Sequence, residues 1–213
     1  MRDDNRHRLL RLTERWAFYI ALALTALGGG SSSAETRPTL NLGDSGPPLD
    51  VHLLSGGAAP AWSELKGKVV VVDFWATWCQ PCVAAFPALN KLHEEFAGKD
   101  VAFFSVTYEP DAHVREFLNK HPLRSQVAID DSFRTFKAYG AWGIPVVFLF
   151  GRGGKLAAAV HPDHLTSEVL AAVLEGKAPD VPQSKPWDDP AGAEIYFRKL
   201  QQELQAKPAT PTS

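Results

Sequence analysis

The sequence predicts an α/β protein with a central mixed β-sheet flanked by helices. Three observations carry that prediction. A run of four valines, Val69 to Val72, leads directly into a cysteine pair and a helical pattern. Strand and helix patterns then alternate, and the alternation ends in a strand, a glycine-rich turn, a second strand and a helix. Alternating β and α units build a parallel sheet, and a short-turn pair adds antiparallel strands to it.

Taken in order, Lys68 to Asp73 is a strand apolar on both faces, as buried parallel strands are. Pro81 to Phe96 is a helix with Phe86, Leu89, Leu92 and Phe96 on one side, and Pro87 inside it is expected to kink it. Val101 to Thr107 is a strand, Ala112 to His121 a helix, and Gln126 to Ile129 a short strand. Phe133 to Tyr139 is helical, and Val146 to Phe150 pairs with Lys155 to Val160 across Gly151-Arg152-Gly153-Gly154. Leu165 to Glu175 closes the core. Ahead of it all, a hairpin is expected around Leu49 to Leu54.

The same reading divides the chain into a leader over 1–34, a Pro- and Gly-rich linker over 35–48, the folded domain over 49–178, and a Pro-rich tail over 179–213. In the tail, Ala191 to Ala206 carries Ile195, Tyr196, Leu200 and Leu204 at helical spacing. In the leader, five arginines precede an apolar stretch from Trp16 to Leu27, and small residues follow as far as Ala34. That is the plan of a signal peptide cut ahead of Glu35, and it predicts a periplasmic or otherwise extracytoplasmic protein. The apolar stretch falls short of the roughly 20 residues of a spanning helix, so membrane attachment is expected only through an uncleaved N-terminus. A formal net charge of −2 leaves no basic stripe for nucleic acid.

Chemistry concentrates at Cys79-Gln80-Pro81-Cys82, which holds both cysteines of the chain. A strand-to-helix junction places unpaired N–H groups and the positive end of the helix dipole beside the first cysteine, favouring its thiolate and making Cys79 the nucleophile. A structural zinc site would need two more ligands at recognisable spacing, and neither a second such pair nor the His161-Pro162-Asp163-His164 run supplies them. No metal or other cofactor is expected. A purely structural disulfide here would close too small a loop to constrain the unfolded chain much. Asp73 is the candidate base: it lies six residues before Cys79 in an otherwise apolar strand, where desolvation raises a carboxyl toward neutrality. Glu109, just past the carboxyl end of Val101 to Thr107, is a second candidate acid, with a solvated loop charge as its other reading.

Residues 69–82, Val-Val-Val-Val-Asp-Phe-Trp-Ala-Thr-Trp-Cys-Gln-Pro-Cys, resemble the active-site strand and helix start of thioredoxins. Pro87 and Gly143-Ile144-Pro145 match further thioredoxin motifs in order. The Phe-Trp-Ala-Thr-Trp-Cys-x-Pro-Cys form is similar to the exported TlpA/ResA group of thiol:disulfide oxidoreductases. The resemblance covers about residues 50 to 176 and implies a thioredoxin fold with an N-terminal hairpin extension and a strand-helix insertion. It implies that Cys79 attacks a disulfide and that Cys82 resolves the mixed disulfide with Asp73 as base. The group often carries Asn at this last position, so Asp73 departs toward thioredoxin. Glutamate near the active site is also common in the group, which agrees with Glu109.

The resemblance further implies a cis Ile144–Pro145 bond facing the dithiol, and a substrate-binding rim made of Trp78, Gln80, Pro81, Gly143, Ile144, Pro145, Val160 and His161. His161, where thioredoxins have glycine, is expected to stabilise the thiolate or to contact substrate. The implied partners are protein disulfides or dithiols, among them the haem-attachment cysteines of apocytochrome c, with a membrane thiol transporter as electron donor. Gln80 brings no charge, so strong thiolate stabilisation is not evident and a reductant is the reading. An oxidative folding catalyst with the same dithiol, or a non-enzymatic interaction or metal-handling module, remain the alternatives.

Overall fold

In the computed structural model of the chain, residues 40–184 are described together with Ile195, Arg198, Lys199 and Gln202. Among them, six strands form one sheet: β1 (His52–Leu53), β2 (Val69–Phe74), β3 (Val101–Thr107), β4 (Gln126–Ile129), β5 (Val146–Phe150) and β6 (Leu156–Val160). Their order is β1-β4-β3-β2-β5-β6. β2 pairs parallel with β3, and β3 with β4; β5 runs antiparallel to β2 and to β6, and β1 antiparallel to β4. The valine run is thus the centre of a mixed sheet, and every residue of β2 is buried.

Helices cover both faces. Val69, Val71, Val147 and Leu149 meet Ala85, Leu89 and Leu92 of α1 (Gln80–Glu95) and Val169, Leu170 and Val173 of α4 (Ser167–Leu174). The opposite face, with Val70, Val72, Phe74 and Phe148, packs on an aromatic layer built from Phe136 and Tyr139 of α3 (Arg134–Tyr139) and from Phe133. The remaining helix, α2 (Asp111–Leu118), sits in the insertion between β3 and β4 and buries Val114.

Helix boundaries differ from the sequence reading where capping decides them. Phe133 is not the first helical residue; it takes a left-handed conformation (φ 59°), and Asp130 accepts the Arg134 and Phe136 N–H groups behind it. The last helix begins at Ser167, because Leu165 ends a short 3₁₀ turn, Pro162–His164, and Thr166 caps α4.

The expected hairpin exists as a turn. Leu53 N–H bonds Gly57 O at 2.8 Å and Gly56 N–H bonds Leu53 O at 2.8 Å. Gly56 and Gly57 hold φ of 105° and 85°, values that a side chain resists. His52 therefore pairs with Ile129 on one side and with Ala58 on the other.

Of the segment read as linker, residues 40–48 are tied to the domain. Gly43 N–H bonds Leu156 O at 2.8 Å, Leu156 N–H bonds Asp44 O at 2.9 Å, and Pro47 O accepts from Trp62 and Tyr139. Gly46 lies over the Trp62 ring, where a Cβ would come within 2.0 Å of a ring atom. Beyond α4 the chain returns to β6, with Ser184 N–H on Ala159 O and Ala159 N–H on the Gln183 side chain. The leader reading (1–34) lies outside the described residues. Most of the tail helix does too; its four described positions are helical, and Ile195 is exposed. Among the described residues no helix is long and apolar enough to cross a membrane.

Candidate active site

β2 runs out of the sheet at Phe74, and Trp75 and Ala76 continue it in a buried strand-to-helix turn. The two cysteines follow at the start of α1. Cys79 is its N-cap, with Sγ accepting the Cys82 N–H at 3.3 Å, and Pro81 occupies the first turn, where no N–H is needed. Cys79 and Cys82 are joined as a disulfide. Both are nearly buried, whereas Trp78, Gln80 and Pro81 around them are exposed. A sulfur at this position meets the orphan N–H groups and positive dipole of a four-turn helix, which favours its thiolate once the bond is reduced.

A polar assembly braces the turn that carries the dithiol. Glu109, completely buried, accepts the Thr77 N–H at 2.6 Å, the Thr77 hydroxyl at 2.7 Å and the Thr107 hydroxyl at 3.2 Å. The solvated-loop reading of Glu109 is therefore overturned, because three donors from two elements compensate for its burial. His113 completes the group, 2.9 Å from the Thr77 hydroxyl. The buried Tyr108 hydroxyl accepts the Trp78 indole N–H at 2.7 Å and so fixes a side chain that is 40% exposed beside Cys79.

Asp73 lies on the α1-covered face of β2, 3% exposed. Burial pushes its carboxyl up to about 7, against a smaller lowering by the Ser105 hydroxyl, which donates to it at 3.2 Å. A carboxyl poised there takes up or gives up a proton near neutrality.

On the other side, the Ile144–Pro145 bond is cis, and Gly143, Ile144 and Pro145 are partly exposed. Val160 does not join the rim. Leu156, Ala158 and Val160 alternate inward along β6, and Val160 is wholly buried against Leu165 and Val169 of the second core layer. His161 is half-exposed, but its Nδ1 accepts the Asp163 N–H and sits 3.2 Å from the Asp163 carboxylate, so the imidazole caps the 3₁₀ turn. Among the described residues, His52, Asp111 and Asp131 also come together. There Nε2 meets Asp111 at 2.8 Å and Nδ1 meets Asp131 at 3.0 Å. The two carboxylates contact opposite nitrogens of the ring, so each is engaged with the imidazole itself.

Thr77, Thr107, Tyr108 and His113 were not read as site residues from sequence. The signal for two of them was available in Thr107-Tyr108-Glu109, which continues β3 toward the catalytic edge with polar groups where an apolar pattern would end.

A dithiol at the N-terminus of the first helix after a central strand, a cis proline and a buried Asp beneath that helix define a thiol:disulfide oxidoreductase of the thioredoxin-like class. The Redoxin family model matches residues 41–174, and the chain belongs to that family. It is 33% identical over 117 residues to the thiol-disulfide oxidoreductase ResA of Bacillus thuringiensis, an alignment covering 54% of this chain and 67% of that protein. A solved Chlorobium tepidum structure, assigned as a thiol:disulfide interchange protein DsbE, is 30% identical with a TM-score of 0.57, covering 63% of this chain and 99% of that one. The thioredoxin domain of a Bacteroides vulgatus thiol-disulfide oxidoreductase, at 23% identity and a TM-score of 0.55 over 66% of this chain and all of its own, shares the fold.

Proposed function

We propose that this oxidoreductase works outside the cytoplasm as a reductant of exported protein disulfides, with Cys79 as nucleophile, Cys82 as resolving thiol and Asp73 as the base that deprotonates Cys82. The observation that carries the reading is the buried Asp73 carboxyl, poised near neutrality under the helix that bears the dithiol. Cys79 thiolate attacks a substrate sulfur and forms a mixed disulfide. Cys82 then gives its proton to Asp73, attacks Cys79 and releases the substrate thiolate. Glu109 holds the backbone at Thr77 and so positions Cys79, while Trp78, Gln80, Pro81 and the Gly143-Ile144-Pro145 turn receive the polypeptide around the scissile disulfide.

Export rests on the arginine-rich, apolar, small-residue plan of residues 1–34. The reducing direction rests on the uncharged Gln80-Pro81 pair between the cysteines, which adds little to thiolate stability. In an oxidising compartment such a reductant needs electrons from a membrane thiol transporter. Its client class is extracytoplasmic dithiols, including those of cytochrome c maturation.

Equilibrating the Cys79/Cys82 couple with glutathione buffers tests the direction. A potential near that of thioredoxin, about −270 mV, supports a reductant; one near −120 mV, the strongly oxidising end of the scale, makes the protein an oxidase.

A further inference from the structure

Asp73 must exchange its proton with solvent in every cycle, yet it is buried and makes no ion pair among the described residues. Its side-chain hydrogen-bond partner is Ser105, directly opposite it in the parallel ladder of β2 and β3. Ser105 is itself 2% exposed, and its hydroxyl meets that of Ser125 at 2.7 Å. Ser125 is partly exposed, one residue ahead of β4. A hydrogen-bonded series of three oxygens thus leads from the buried carboxyl to a partly exposed residue, on the side of the sheet away from the aromatic layer.

The path is held in place. Asn90 of α1 donates to Pro122 O at 2.8 Å and accepts the Arg124 N–H at 2.8 Å, and Arg124 pairs with Glu94 on the same helix. These contacts seat the segment before Ser125 against α1. Beside the three oxygens is a cavity of about 10 Å³, the scale of one water molecule, lined by Asp73, Ser105, Ser125, Asn90, Leu89 and Leu123.

We propose that Ser105 and Ser125 form a hydroxyl relay that carries the Asp73 proton to and from solvent beside α1, without passage through the substrate-covered mouth of the dithiol. The inference rests on Asp73 being the base for Cys82. When Cys82 attacks, its thiol proton goes to the Asp73 carboxylate, the new S–S bond to Cys79 forms, and the substrate leaves as thiolate. Asp73 then gives that proton to Ser105 Oγ while the Ser105 proton passes to Ser125 Oγ and the Ser125 proton passes to water. Both hydroxyls rotate back, and Ser105 again donates to the carboxylate. No proton is lost and none is left inside.

The test is a sequential-mixing experiment on the reduced full chain with an aromatic nitrobenzoate disulfide. That probe releases one coloured thiolate when Cys79 attacks and a second when Cys82 closes the disulfide. Protein held at about pH 5, where Asp73 is protonated, is jumped to about pH 8, and the probe is added after a variable delay. In the parent the second release is independent of the delay. In Ser105→Ala and Ser125→Ala it is slower at the shortest delays by about tenfold, a part of what a positioned proton acceptor contributes, and recovers as the delay lengthens.

Ser125→Thr keeps a hydroxyl and behaves as the parent. Delay-independent release in both alanine variants, with Asp73→Asn slow at every delay, overturns the relay and leaves the base intact. Asp73→Asn as fast as the parent overturns the base and the relay with it. Should Ser105→Ala not fold, the surface-proximal Ser125→Ala decides alone.

Discussion

Replacing Asp73 by Asn is expected to stabilise the oxidised protein, and by an amount that grows with pH. The carboxyl is raised from 3.8 to about 7 in the folded chain by burial. The folded state therefore holds this proton more tightly than the unfolded state, and stability falls as pH rises between those values. The shift of roughly three units corresponds to about 4 kcal/mol above pH 7, present as a deficit in the parent and absent from the amide. At pH 5 only about 1 to 2 kcal/mol of it has developed, since the unfolded carboxyl has by then ionised over little more than one unit. An amide also keeps an acceptor for the Ser105 hydroxyl, and the cost of burying its NH2 is the same at both pH values and drops out of the difference between them. The assay is chemical denaturation of both oxidised proteins at the two pH values, read as the difference between them. Asp130 is also raised by burial, to about 6, but it titrates identically in parent and variant and cancels in that difference. A variant no more stable than the parent at pH 8, or an advantage that does not grow with pH, would refute the desolvated carboxyl on which the base and the relay depend.

Other substitutions test the brace around the dithiol. Thr77→Val removes the hydroxyl bond to buried Glu109 and is expected to cost about 1 to 2 kcal/mol in denaturation, with a changed rate of Cys79 alkylation if Thr77 positions the nucleophile. Tyr108→Phe takes the acceptor from the Trp78 indole and is expected to lower stability by about 1 kcal/mol while loosening Trp78, seen as lower fluorescence anisotropy. His161→Gly is expected to leave the pH profile of Cys79 alkylation unchanged, because the Asp163 N–H occupies the imidazole Nδ1; a shifted profile would give His161 a direct effect on the thiolate.

What could be read from sequence followed local chemistry. Val69 to Val72 announced a strand buried on both faces because four successive β-branched residues favour extended backbone and leave neither face polar, and the cysteine pair announced its own junction. Asp73 stood out against its apolar neighbours, and the cis bond came with Gly143-Ile144-Pro145. What escaped depends on register across the sheet. Ser105 is 32 residues from Asp73, and only the parallel pairing of β2 with β3 makes them neighbours. Glu109 was placed at the right edge, but its burial required Thr77 and Thr107 to converge on it from separate elements. Val160 was misplaced by motif alignment even though the inward alternation of Leu156, Ala158 and Val160 was visible in the residues themselves. Phe133 reads as helix former and serves instead as the turn before α3, since Asp130 captures the N–H groups that follow.

Both borders of the sheet carry partners: Asp44 and Ser184 bond to Leu156 and Ala159 of β6, and Ala58 lies on the far side of β1. An unfolded client meets no open ladder of N–H and C=O groups there, which is how sheets come to zip with foreign chains. On the proposed function, contact with a client is then left to the surface around Cys79 and to the mixed disulfide. An enzyme whose borders are already paired gives an extended foreign chain no strand to prolong, which keeps it from becoming the seed of an aggregate.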